Sequence, residues 1–523
     1  MQTVDERGHI VLGGIAAISI AVQLFCINQY GYFRDELYYL ACGEHLDWGY
    51  VDQAPLIAVI AWTARHLFGD SLLAIRILPV LAGAALIVLT GLLARRLGGS
   101  LGAQAVAALC ALVAPHYLAG AHLLTMNVFE PLFWMGCVYV AMGELRGSEV
   151  SGSRPGGAAR PRDRETSQPR RWLLFGAIAG LSLQNKHSTL FFGLAFVIGL
   201  LLTEHRRVFL RPWIWLGGVI AFLIFLPNLI WEVRHDFATI ELLRNIARSS
   251  KNAPVTLTSF LGGQLILMNP LTLPVWLAGL YWLLRNRTYR ALGICYIALF
   301  AEFVILKGKI YYLSPIYPML FAAGAVFWSA AAKPPLWARK AYAALIVIAG
   351  ALLAPLAIPI LPVQVFIEYQ RALHFEPPRT ESHRLGPLPQ HYADMFGWPE
   401  MTAVVARAYN ALPPEERARC GIFGQNYGQA GAIDFFGPRY GLPKALSAHQ
   451  NYFLWGPRGY TGDCLIVMDD DRETLETIFG DVQQVGMVGH PLAMPYENNQ
   501  PVHLCRRPKI PLPELWPKIK KWI

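Results

Sequence analysis

The densest run of side chains able to do chemistry is Tyr32-Phe33-Arg34-Asp35-Glu36-Leu37-Tyr38-Tyr39, followed by Glu44-His45-Leu46-Asp47-Trp48-Gly49-Tyr50-Val51-Asp52-Gln53-Ala54-Pro55-Leu56. The adjacent carboxylates Asp35 and Glu36 suit a general base and a neighbour that shifts its pKa or binds a second group. Arg34, Tyr39 and Asp52 add the charge and hydrogen bonds that would hold a polar substrate beside that base. The aromatic residues suit an interfacial girdle or a stacking platform for a sugar. A second set is cationic. Arg76, Lys186, Lys307 and Lys309 lie in or at the edge of apolar segments, where a charge is expensive and faces a cavity or a partner. Basic points of this kind suit a phosphate held near lipid, and Lys186 stands at a break between apolar runs, where helix ends would add to the attraction. Glu130 and Glu302 are acids in the same setting. His122, Tyr311 and Tyr312 are further candidates for the cavity wall. No dinucleotide, Walker or zinc-protease motif is present, nor any Cys/His zinc spacing. No cofactor is therefore expected, and no residue pattern supports a divalent metal.

The elements that must position these groups follow from composition. The chain has 523 residues, 54% hydrophobic and only 15% charged, against roughly 25% charged in a soluble domain. Apolar runs near the ~20 residues needed to cross a bilayer begin with Ile10–Asn28. They continue through Leu72–Leu93, Leu101–Leu118, Val128–Leu145, Trp172–Thr203, Trp213–Ile230, Leu257–Leu284, Ala291–Leu306, Tyr311–Ala331 and Tyr342–Leu361. Trp172–Thr203 is too long for one span and is broken at Gln184-Asn185-Lys186-His187-Ser188, so it reads as a hairpin of two helices. About eleven segments result. Arginine and lysine clusters (Arg95 and Arg96; Arg146 to Arg171; Arg206, Arg207 and Arg211; Arg285, Arg287 and Arg290; Lys333, Arg339 and Lys340) all fall on the cytoplasmic side if the N-terminus is cytoplasmic. The formal charge of +10 is then an orientation signal and gives no support to nucleic-acid binding. Gly147–Gln168 reads as a flexible cytoplasmic linker.

The expected architecture is a polytopic α-helical membrane protein. Residues 1–362 form the membrane domain, with a first outer loop at 29–71, and residues 363–523 form an α/β domain on the outer face. Strands are expected at Cys420–Phe423 and Cys464–Met468, with helices at Met401–Leu412 and Glu473–Phe479. A disulfide among Cys420, Cys464 and Cys505 is open, its connectivity unreadable from sequence.

The first-loop run, with Pro227-Asn228-Leu229-Ile230-Trp231-Glu232, Lys307-Gly308-Lys309-Ile310-Tyr311-Tyr312-Leu313-Ser314-Pro315 and Asn426-Tyr427-Gly428-Gln429-Ala430-Gly431-Ala432-Ile433-Asp434-Phe435-Phe436, resembles the bacterial C-type (GT-C) glycosyltransferases. These are relatives of the protein O-mannosyltransferases and of the aminoarabinose transferase of lipid A. The resemblance implies a polyprenyl-phosphate sugar donor, a lipid, glycan or protein acceptor, and inverting transfer at the outer face of the inner membrane among membrane lipids. It implies Asp35 as general base with Glu36 beside it, and donor-phosphate contacts from Lys186 and Lys307 or Lys309. Two departures stand out. Ala54-Pro55 replaces two prolines common in relatives, and Thr125-Met126-Asn127 stands where many relatives carry an acid. A secondary transporter or lipid flippase is the rival reading, with Glu130, Lys186 and Glu302 as its path. Transporters usually show matched broken helices in two repeats, and only one broken hairpin is legible here. An assembly subunit whose outer domain binds a partner is a second rival.

Overall fold

The computed structural model describes residues 4–152, 169–249, 251, 255–332, 335–374, 381–468 and 471–523. Most of the expected linker Gly147–Gln168, and Lys333, lie outside them. Residues 147–152 of that stretch continue the helix Met126–Gly152. The chain divides into two compact units.

The first unit comprises Met1–Ile27, Arg76–Ile230 and Pro254–Ile360 and is helical. Among the described residues of the chain, six helices are long and apolar enough to cross a membrane, or nine if three bent pairs each count once. The bends have local causes. Leu101–Leu112 and Pro115–His122 meet at 63°, where Pro115 disfavours the helical conformation at Ala114. Leu257–Leu267 and the segment Pro270–Arg285 meet at 91°, where Asn269 takes a positive φ of 67° just before a proline. The expected hairpin is present as Pro169–Asn185 and Thr189–Leu201. The two expected segments not among the nine are Pro169–Asn185 and Arg290–Ile305, with 17 and 16 residues, each shorter than one ideal span.

The core of this unit lies around Tyr317–Phe327, whose residues Tyr317 to Val326 are all buried. Small residues let neighbouring backbones touch it. A Cβ on Gly324 would stand 1.8 Å from the Val275 carbonyl oxygen, and one on Gly279 would stand 2.1 Å from that of Leu320. Gly176 and Gly217 make a second such contact, with 2.0 Å between a Cβ on Gly176 and the Gly217 oxygen. Close crossings at small residues are how helices associate where lipid removes the hydrophobic driving force. Pro212–Arg234 keeps Trp215, Val219, Phe222 and Leu223 exposed, as a lipid-facing helix does.

The second unit comprises Asn28–Ile75, Trp231–Ala253 and Leu361–Ile523. Its sheet has the order β1-β2-β4-β3, with β1 Cys420–Phe423, β2 Cys464–Met468, β3 Phe479–Val488 and β4 Gln500–Pro508. β1 and β2 are parallel, and the other pairs are antiparallel. Cys420 faces Cys464 across the parallel pair, and the two form a disulfide, leaving Cys505 a buried free thiol. The expected helices are present as Trp398–Asn410 and Arg472–Ile478. The stretch expected to be the first loop is largely helical instead, as Arg34–Glu44 and Leu56–Phe68. Acids in the first turn favour the start of the former helix, and Glu36 Oε2 accepts the Phe33 N–H at 2.9 Å.

Candidate active site

The carboxylates of the second unit are held by a helix from its C-terminal segment. Asn426 caps the helix Tyr427–Phe436, its Oδ1 accepting the N–H groups of Gly428 at 2.9 Å and Gln429 at 3.0 Å. Glu497 accepts from Asn426 Nδ2 at 2.8 Å and from Gln429 Nε2 at 2.9 Å, which fixes the cap. Glycines let this helix lie against Arg34–Glu44. A Cβ on Gly431 would come 3.0 Å from the Leu37 carbonyl carbon, and one on Gly428 2.5 Å from Arg34 Cγ.

That approach delivers Tyr427 to the predicted base. The Tyr427 hydroxyl donates to Asp35 Oδ1 at 2.9 Å, and Arg34 Nε lies 3.7 Å from the same oxygen. Asp35 is 28% exposed, and its Oδ2 takes no hydrogen bond among the described residues. Glu36, by contrast, is fully buried and spent on the helix start, so of the two adjacent acids only Asp35 is presented for chemistry. The Tyr427 ring stacks between Tyr38, at 4.6 Å, and His449, at 5.0 Å. Tyr38 in turn donates to Asp52 Oδ1 at 2.8 Å. Burial pushes the Asp52 carboxyl up to about 6, the Tyr38 bond opposing and the Asp35 charge adding to the rise. Tyr39 is buried, and its hydroxyl is pushed up by burial and then by the charges of Asp35 and Asp52. Arg34 Nη1 donates to the Tyr496 hydroxyl at 2.5 Å and lies 4.0 Å from Asp394. Burial raises Asp394 to about 6 against the pull of Arg34.

The cations of the first unit fall into three situations. Lys186, at the hairpin break, donates to Glu130 at 2.8 Å and to Asn127 at 2.9 Å. Its ammonium lies 5.6 Å from the Tyr311 ring and 5.0 Å from the Tyr312 ring. The break is anchored by Asn185, which donates to the Met126 carbonyl at 3.0 Å, and by Ser188, which donates to Glu130. The departure at Thr125-Met126-Asn127 thereby has a structural meaning: Asn127 supplies an amide oxygen to Lys186, and Glu130, three residues on, supplies the carboxylate. Lys307 is exposed with a positive φ of 51°, and Lys309 is half-buried. Arg76 is fully buried, donating to the Ile27 carbonyl at 3.1 Å and lying 3.2 Å from His122 Nε2. His122 contacts Gln23 at 3.1 Å, and Gln23 donates to the Leu118 carbonyl at 2.9 Å. Arg76 and His122, expected near substrate, are thus joined in a buried network that ties helix ends together.

Comparison with known proteins agrees with this architecture. The family model for dolichyl-phosphate-mannose-protein mannosyltransferases matches residues 52–146 and 162–231. The fold is similar to that of ArnT from Cupriavidus metallidurans bound to undecaprenyl phosphate, with a TM-score of 0.61 at 16% identity over 94% of this chain and 97% of that one. The apo form of the same protein gives 0.59 at 17% identity, with the same coverage. The chain has the GT-C membrane fold. A curated relative, the lipid A galacturonosyltransferase RgtD of Rhizobium johnstonii, is 25% identical over 262 residues, 49% of this chain. The match spans half of that relative's length. One residue of the candidate site in this GT-C fold, Tyr427, was read in the sequence only as part of a resembling stretch. The available signal was the spacing of Gly428 and Gly431, three apart on a helix, which marks a face that meets another backbone.

Proposed function

We propose that this GT-C protein transfers a sugar from a polyprenyl-phosphate donor to a hydroxyl or amine of a lipid, glycan or protein acceptor at the periplasmic face of the inner membrane, with inversion. The observation that carries the reading is the Asp35 carboxylate: one oxygen oriented by Tyr427, the other open, with Arg34 alongside. In the proposed step Asp35 takes the acceptor proton, the acceptor atom bonds to the anomeric carbon, and the bond from that carbon to the phosphate oxygen breaks. Polyprenyl phosphate leaves as an anion, so the leaving group asks for cations rather than for a strong general acid. We assign the donor phosphate to Lys186, helped by Lys307 and Lys309, with the tyrosines Tyr311 and Tyr312 beside it. Asp52 and Tyr39 would contact the sugar or acceptor. Arg76 and His122 are left to the buried network. The undecaprenyl phosphate named for the solved relative and the lipid A named for the curated one are the donor carrier and acceptor to try first.

The test is release of undecaprenyl phosphate by purified protein supplied with undecaprenyl-phosphate sugars and lipid A. Wild type is expected to release it, and Asp35→Asn to lose about 10²- to 10⁴-fold in rate while folding normally. Full turnover in Asp35→Asn would overturn the base assignment. Lys186→Met is expected to weaken donor binding more than acceptor binding, and unchanged donor affinity would overturn the phosphate assignment.

A further inference from the structure

A separate pocket of about 340 Å³ opens in the second unit, lined by Leu40, Gly43, Glu44, Trp62, Arg65, His66, Gly69 and Asp70. This size is at the lower end of small-ligand sites. Its floor exists because Gly43 lets two helices touch. A Cβ there would stand 3.1 Å from the Trp62 nitrogen and 3.3 Å from the Ala58 oxygen. Its rim exists because Gly69, at φ +91°, closes the helix Leu56–Phe68 in a conformation that side chains resist. That turn brings Asp70 back to Arg65, whose Nε donates to Asp70 Oδ1 at 2.6 Å.

The chemistry of the wall is specific. Trp62 is 40% exposed, and the His66 ring leans against it, tilted by 32° with centroids 4.3 Å apart, which helps to hold the indole as a platform. Arg65 also donates to Glu44 Oε1 at 2.5 Å, and Lys444 donates to the other Glu44 oxygen. Burial would raise the Glu44 carboxyl, but the bonds and charges of Lys444 and Arg65 outweigh it and hold the group below its usual value. Two acids and two bases thus cancel, so the wall offers no net charge to an ion. Groups remain for a neutral ligand. Asp70 Oδ2 and His66 Nε2 have no partner among the described residues. His66 Nδ1 is engaged by the Trp62 carbonyl at 2.8 Å, which leaves Nε2 an acceptor in the neutral ring. A flat aromatic face beside fixed acceptors and a guanidinium matches a pyranose, with its apolar C–H face and its ring of hydroxyls.

We propose that this pocket binds a neutral saccharide unit and serves as a remote subsite for a glycan acceptor. The acceptor role rests on the transferase reading above; saccharide binding does not. Asp35 and Glu44 stand in the first and last turns of one 11-residue helix, about 14 Å apart along its axis at ~1.5 Å per residue. An acceptor filling both places is an oligosaccharide, recognised well away from the hydroxyl that reacts.

The experiment uses the full chain in lipid nanodiscs, probed with a printed array of neutral and acidic bacterial oligosaccharides, with hits quantified by calorimetry. Wild type is expected to retain neutral oligosaccharides. Trp62→Ala should raise their Kd about tenfold, as loss of a central aromatic contact does, and Trp62→Phe should restore most of the affinity. Asp35→Asn should bind the array as wild type does even where transfer fails, which separates this subsite from the base. The proposal is overturned if wild type retains no neutral saccharide, whether or not it transfers sugar, or if Trp62→Ala binds them unchanged. It is also overturned if the share of fluorescence that Trp62→Ala removes is quenched by brominated phosphatidylglycerol in the nanodisc while saccharide binding stays intact. That result would make the face, with its exposed Val59, Leu67 and Phe68, a lipid contact.

Discussion

At the scale of single residues, Asp35 is defined by what holds it. The phenol of Tyr427 donates to one carboxylate oxygen, and a hydrogen bond to a charged group contributes about 1.5–3 kcal/mol. Tyr427→Phe keeps the stacking ring and removes only that bond. Under the transferase reading it is expected to lower kcat about ten- to hundredfold with donor KM unchanged, checked by steady-state kinetics at varied donor. A second prediction concerns pH. Asp52, Asp394 and Asp434 are each raised by burial to about 6, whereas an unfolded aspartate titrates near ~3.9. The folded unit therefore binds more protons than the unfolded chain between these values, and its stability falls as pH rises through about 6. Melting followed by tryptophan fluorescence should show a higher midpoint at pH 5 than at pH 7.5, and Asp394→Asn should narrow that difference, leaving the shares of Asp52 and Asp434.

At the scale of elements, the helix contacts depend on missing side chains. Gly431→Val would drive branched carbons into the Leu37 carbonyl and shift Tyr427 away from Asp35. Turnover is expected to fall at least about tenfold, since small misplacements of reacting groups are costly, while equilibrium donor binding to the purified variant holds. Gly176→Leu meets the Gly217 backbone in the same way. It should lower the thermal midpoint in detergent, followed by a size-exclusion thermal-shift series. The spans and the hairpin were legible because long apolar runs broken by Gln184-Asn185-Lys186-His187-Ser188 admit few other readings. β1 and β2 were legible as short apolar runs, and both are fully buried. β3 and β4 were not. β3 carries Gly480, Asp481, Gln483, Gln484 and Gly486 at the sheet edge, with a register shift between Gln484 and Gly486, so no period-2 pattern survives in its sequence. The helices within 29–71 were hidden by the motif itself, whose charges and aromatics read as a loop although they occupy helix starts and a buried face.

At the scale of the whole molecule, two predictions concern the disulfide and the expected orientation. The Cys420–Cys464 disulfide closes a separation of 44 residues. Replacing both cysteines by serine is expected to destabilise the second unit by about 2–4 kcal/mol, measured by denaturant unfolding of the purified protein under oxidising conditions. The arginine clusters predict that a cysteine introduced at Trp48 reacts with an impermeant maleimide in intact cells, and that one at Arg206 reacts only after permeabilisation.

By itself, the sequence determined the class of the protein. A low charged fraction, apolar runs of membrane length and the Arg34–Leu56 motif were enough to reach the GT-C membrane fold, because transfer to lipid and positive-inside loops act on local composition, which needs no fold to read. The tertiary structure decided which of the candidate charges are presented and which are spent. It gave Glu36 to a helix start and Arg76 and His122 to a buried network, paired Lys186 with Glu130 and Asn127, and brought Tyr427 to Asp35 across 392 positions of sequence. It also opened the pocket at Trp62. These outcomes depend on burial and on hydrogen bonds between segments far apart in the chain, and only the folded backbone, with glycines where two helices must touch, sets those distances.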